Sequence, residues 1–138
     1  MWPRVDGMRA LELGTQGSMR AWLNGLVLEG RKRATAGLET EYVDEGEVLE
    51  HVGERLALVD DDGRHIATVR VTRVDVVRFA DVPWEFAAAE DEGDADIEEW
   101  RAGHRRFWAE AGTPVDDGTR VVLVRFRLVE LASATQGI

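Results

Sequence analysis

At 138 residues, 44% of them hydrophobic and 32% charged, the chain is sized and composed for one domain whose core needs no covalent staple. It has no cysteine, which excludes disulfides, thiolate metal sites and cysteine nucleophiles. A formal net charge of −10 excludes broad, sequence-blind binding to nucleic acid and confines any such contact to a local cationic patch.

The opening residues, Met1 to Gly7, hold no apolar leader-like stretch, and no apolar run is long enough to span a bilayer. The expectation is a cytoplasmic protein with no membrane partner. A helix is predicted at about Ser18 to Glu29, because Met19, Trp22, Leu23, Leu26 and Val27 repeat at helical spacing. Ser18 suits its N-cap and Gly30 the position just past its end, while Asn24-Gly25 weakens its middle. Next comes Gly30-Arg31-Lys32-Arg33-Ala34-Thr35-Ala36-Gly37-Leu38, three cations followed by a hydroxyl, with a glycine at either side. Such a turn suits a phosphate, a carbonyl or the edge of a base. Arg31 and Arg33 would also serve simply to complement the carbonyl end of the helix.

Strands dominate the following section. Arg55 to Val59 and His65 to Val77 are rich in β-branched residues and are separated by Asp62-Gly63, a strong hairpin signal. From Asp81 to Glu99 there are nine carboxylates and no cation, so most of them must be solvated. Glu90, Glu92 and Asp94 alternate as hard oxygen donors would for Mg²⁺, but without a histidine or a second acidic cluster that spacing alone does not make a metal site, and none is assigned. Asp96 and Glu99 have capping-box spacing and open a second helix, whose apolar stripe runs through Ile97, Trp100, His104, Phe107, Trp108 and Ala111. His104 therefore reads as a half-buried, hydrogen-bonded histidine or as a binding residue. Trp22, Trp100 and Trp108 fall on apolar faces, whereas Trp84 beside Pro83 is the tryptophan expected at the surface and open to a stacked base. Arg120 to Val129 forms a last strand, half wet at Arg125 and Arg127, and residues 133–138 read as a frayed tail. Short non-local strands with a few helices predict an α+β fold built on a small mixed β-barrel with flanking helices.

Several of these segments, taken in order, resemble an ASCH domain. They are Gly30 to Leu38, Gly53-Glu54, Val74-Asp75-Val76-Val77 with Phe79, Glu90-Asp91-Glu92-Gly93-Asp94, Trp100-Arg101 with His104, and Arg125-Phe126. The resemblance runs from about Leu11 to Glu130, and one departure stands out: Asp91 occupies a place between two glutamates where a glycine is expected. It implies a single PUA-like domain over residues 1–138 that binds RNA, a nucleotide or a modified nucleoside. Some small members resemble amidohydrolases of N4-acylated cytidine with a Lys-x-x-Thr pair and a downstream glutamate, and others resemble ribonucleases. Carried over, the pair is Lys32 and Thr35, and the glutamate is Glu90, with Glu92 as its rival. Arg31, Arg33, Glu92, Trp84 and His104 are the accompanying candidates for substrate binding, and no cofactor is implied. A regulatory interaction domain without a nucleic-acid ligand is the remaining alternative.

The chemistry of that constellation can be weighed without the resemblance. A threonine hydroxyl needs a base within reach, and a lysine can serve if burial or neighbouring cations lower its pKa. Glu90 could then pass a proton to a leaving amine, with backbone N–H groups near Gly37 holding an oxyanion. The other reading makes Lys32 a grip for a phosphate or base and leaves Thr35 as the start of a strand.

Overall fold

The computed structural model describes residues 1–132, so the tail expected at residues 133–138 lies outside the described residues. In chain order the elements are β1 (Arg4–Val5), β2 (Met8–Leu11), α1 (Ser18–Leu28), β3 (Ala34–Leu38), α2 (Glu39–Glu45), β4 (Arg55–Val59) and β5 (His65–Arg78). A short 3-10 turn (Phe79–Asp81), α3 (Trp84–Glu90), α4 (Ile97–Glu110) and β6 (Arg120–Leu131) complete it. The fold is α+β: one six-stranded sheet in the order β1-β2-β4-β5-β6-β3, with β2 and β4 parallel and every other pair antiparallel. Among the described residues no helix is long and apolar enough to cross a membrane.

The long inner strand β6 explains the two-layered core. Val122, Val124 and Phe126 face one hydrophobic cluster with Leu23, Leu26 and Val27 of α1. Val121 and Leu123 point the other way, into a second cluster with Phe86, Trp100 and Trp108 of α3 and α4. The alternation is that of any strand, but here both faces are apolar because both are covered.

The expected barrel does not close. Among the described residues, both β1 and β3 are free edges of the sheet. Nevertheless, Arg9, Ala10 and Leu11 of β2 and Thr35, Ala36 and Gly37 of β3 line one cavity. The sheet thus curls its ends towards each other and leaves a gap, and that gap is the groove described below.

Two helix starts also differ from expectation. Gly17, not Ser18, is the N-cap of α1: it has φ 102°, a conformation glycine accepts readily, and its N–H donates to Asp61 Oδ2 at 2.9 Å. At α4, Asp96 accepts from the Glu99 N–H at 2.9 Å as expected, but the Glu99 carboxylate reaches the N–H of Ala95 rather than that of Asp96. The buried face of α1 is rotated as well. Arg20 and Asn24 are buried: Arg20 donates to the Leu13 and Gly14 carbonyls and the Asn24 amide nitrogen donates to the Val59 carbonyl, while Asn24 Oδ1 has no partner among the described residues. Their turning inwards moves Trp22, expected in the core, out to 50% exposure.

Candidate functional site

Local folding brings Lys32 inwards. After α1 the chain reverses at Gly30 (φ 76°), where both Arg31 and Lys32 donate their backbone N–H to the Leu26 carbonyl, at 2.9 and 3.1 Å. The Arg33 N–H then donates to the Ala89 carbonyl at 2.8 Å, stitching the approach to β3 against the end of α3. Glu90, the last residue of α3, is thereby set beside Lys32. Asp91 follows in the left-handed region at φ 51°, the conformation glycine would take most easily, and its turn sends Glu92 back to the same point.

Lys32 is 2% exposed and its ammonium uses all three of its hydrogen bonds inside the protein. It donates to the Ala34 carbonyl at 2.7 Å, to Glu90 Oε2 at 3.2 Å and to Glu92 Oε2. The other oxygen of Glu90 accepts from the Trp100 indole. His104 stacks on that indole with ring centroids 3.9 Å apart, and its Nδ1 lies 2.9 Å from the Trp100 carbonyl. A carbonyl can only accept, so Nδ1 carries the proton and Nε2 faces Glu90 Oε1 across 3.6 Å. Among the described residues Glu90, Glu92 and His104 form the one His/Asp/Glu grouping with metal-like spacing, and the Lys32 ammonium bonds both of its carboxylates. Asp94, expected in such a set, is not part of it.

Burial and neighbouring charge set the protonation states. Burial opposes the charge on Lys32, but Glu90 and Glu92 outweigh it and hold the ammonium above the ordinary lysine value. This reverses the expectation that Lys32 is tuned down to act as a base. The flanking cations that expectation relied on point outwards. Burial, reinforced by Glu90, raises the carboxyl of Glu92, and burial likewise raises Asp94. Burial lowers His104 despite its bond to the Trp100 carbonyl, so its ring is neutral at pH 7.

These groups form the floor of an open groove. Its first compartment, of about 200 Å³, is lined by Lys32, Thr35, Glu90, Glu92, Asp94 and His104 and walled by Leu13, Met19, Trp22 and Phe107. A second compartment of about 270 Å³ meets it at Gly14, Thr35 and Ala36 and holds Arg9, Tyr42 and Glu50. The Tyr42 hydroxyl donates to Glu50 at 2.8 Å, and buried Arg9 donates to the Val48 carbonyl at 2.8 Å. The structure therefore brings Lys32, Thr35, Glu90, Glu92 and His104 together, and both rival glutamates face the same cation.

Three expected residues lie elsewhere. Arg31 is exposed and pairs with Asp91 at 3.1 Å, while Arg33 is exposed and Trp84 sits on the outer side of α3 at 41% exposure; none of them lines the groove. Arg31 and Arg33 flank an inward residue of an extended segment, so they point away from it. Gly37, proposed beside an oxyanion, lies opposite Val122 in the ladder between β3 and β6. In exchange the groove gains Trp22 and the Arg9–Tyr42–Glu50 group, which come from segments too far apart in sequence for any spacing to connect them.

Comparison with known proteins gives the family and the fold. The family model described as ASCH domain matches residues 9–130. An ASCH domain of Lactobacillus crispatus JV V101 is 30% identical, covers 88% of this chain and 79% of its own, and superposes with a TM-score of 0.76. A protein of Enterococcus faecalis V583 is 27% identical over 87% of this chain and 75% of its own, also with a TM-score of 0.76. A mutant ASCH protein of Zymomonas mobilis shares the fold at a TM-score of 0.53 and 8% identity, covering 84% of this chain and 72% of its own. The comparison with curated proteins gives no match.

Proposed function

Because the chain belongs to the ASCH family, we propose that its groove binds a nucleobase, presented by a modified nucleoside, a nucleotide or single-stranded RNA. The observation that carries this reading is the buried Lys32–Glu90–Glu92–His104 floor between apolar walls. A planar heterocycle has the matching anatomy, with polar edges and apolar faces. Buried charges are costly to assemble, and a cluster of them opening onto a groove is what a recognition site requires. The floor favours a base over a phosphate, since Lys32 has no spare donor and two carboxylates, with Asp94, stand beside it. Trp22 supplies an exposed aromatic face on the groove wall.

Hydrolysis of an N4-acylated cytidine is the second reading, favoured by the Thr35 hydroxyl lining the same compartment as Lys32 and Glu90. In that reaction the base for Thr35 would be Glu92 or neutral His104, with Lys32 as a fixed cation steadying developing negative charge.

Thr35→Val separates the readings. Wild-type protein and the variant are incubated with N4-acetylcytidine and with a short single-stranded RNA, affinities are measured by calorimetry and products are resolved by chromatography. A binder gives no product, and Thr35→Val weakens affinity by about 1 kcal/mol, one neutral hydrogen bond. An amidohydrolase releases acetate and cytidine, and Thr35→Val abolishes turnover while affinity is nearly kept. Failure of wild-type protein to bind or convert either compound overturns the proposal and leaves an interaction domain.

A further inference from the structure

Among the described residues, one backbone edge in the groove has no partner. Strand β3 is the last strand of its sheet and, among those residues, pairs only with β6. The Phe126 N–H donates to the Arg33 carbonyl at 3.0 Å, and from there the antiparallel ladder bonds alternate residues. Thr35 and Gly37, opposite Val124 and Val122, therefore turn their backbone N–H and C=O towards β6. Ala34, Ala36 and Leu38 turn theirs outwards. Of these, Ala34 O is taken by the Lys32 ammonium at 2.7 Å and the Leu38 N–H by Glu41 Oε1 at 3.0 Å. Ala36 alone keeps both groups outward with no hydrogen bond to any strand, loop or side chain among the described residues. It lies where the compartments of the groove meet, next to Thr35.

We infer that the outward N–H and C=O of Ala36 read the edge of the bound ring. The inference rests on the proposed base-binding function and narrows its ligand. A strand residue of this kind offers a donor and an acceptor side by side in one direction, and its natural complement is a group with an acceptor (C=O or ring nitrogen) and an N–H donor adjacent in one plane. Lactam, amide and amidine edges have that form, as do the hydrogen-bonding edges of pyrimidines. The ligand takes the place of the missing neighbouring strand. The ring lies between the apolar walls, its edge against Ala36 and its remaining polar groups towards Glu92 and His104. Because the recognition is by main chain, no side-chain motif announces it in the sequence.

Amide hydrogen exchange followed by NMR tests this on the wild-type protein, free and saturated with uridine, cytidine or N4-acetylcytidine. Exchange at the Ala36 N–H is expected to slow by at least about tenfold on binding, while Thr35 and Gly37, already bonded to β6, change little. Uridine is also expected to bind at least about fivefold more tightly than 3-methyluridine, which is uncharged but lacks the ring N–H. If a ligand shifts the signals of Lys32, Glu92 and His104 while Ala36 exchanges as before, the Ala36 inference is overturned and the base-binding reading stands. If none of the three compounds alters any signal in the groove, both fall together.

Discussion

Lys32 illustrates how a residue legible in the sequence acquires its chemistry only in the fold. A cation with an arginine on each side invites the view that its pKa is depressed, yet the arginines point to solvent and two carboxylates point at it. Lys32→Met would leave those carboxylates buried without a counter-charge, and its cost in a urea titration should be about 3–5 kcal/mol. Adding Glu90→Gln and Glu92→Gln to that variant should recover most of the loss. A recovery of none would mean that Lys32 stabilises through packing of its stem alone. His104 offers a second readout. Its ring should titrate by NMR below the 6.5 of an unperturbed histidine. Since the folded value is the lower one, its contribution to stability is full above about pH 6.5 and is lost as pH falls through the folded-state value. A midpoint above 6.5 would show the neighbouring carboxylates overriding burial. Lys32, Thr35, Glu90, Glu92 and His104 were all readable as candidates because residue type and order suffice for that. Trp22 was not, because two polar residues on the same helix, Arg20 and Asn24, are buried with partners that the sequence does not reveal.

Elements were legible in proportion to their length and period. The helices α1 and α4 and the strands β4, β5 and β6 carry strong periodicity and lie within a few residues of their expected bounds. Both α2 and α3 have only seven residues, too short for a convincing stripe, and α3 lies inside the acidic stretch from Asp81 to Glu99, most of which is expected to be solvated. Pro83 followed by Ala87-Ala88-Ala89 was the available signal for α3, a helix start and a run of strong helix formers. The turn after α3 explains why a glycine is expected where Asp91 stands. At φ 51° an aspartate is strained where glycine is not, so Asp91→Gly should raise stability by up to about 1 kcal/mol despite loss of the exposed pair with Arg31. Unchanged or lowered thermal stability would mean that the pair matters more than the backbone. At α4, Asp96→Ala should cost about 1 kcal/mol, the usual value of an N-cap that accepts from the third helical residue.

Barrel closure is a property of the whole molecule and could not be read locally, because it depends on whether β2 and β3, distant in sequence, come close enough to bond. They come close enough to share a cavity and no closer, and the site lies in the space between them. The same scale governs partners. With a net charge of −10 and an acidic groove floor, binding to single-stranded RNA should involve few phosphates. The logarithm of affinity should fall only shallowly with the logarithm of salt concentration; a steep slope would reveal a basic face outside the groove. The central claim is that the gap between the sheet ends is the ligand site, and a crystal structure of the wild-type protein with N4-acetylcytidine tests it most directly. The account predicts a ring between Trp22 and Phe107, its edge on Ala36 and its polar groups over Glu92 and His104, beside the Thr35 hydroxyl. A ligand seated instead on the outer surface at Arg31, Arg33 and Trp84, with the groove empty, would contradict it.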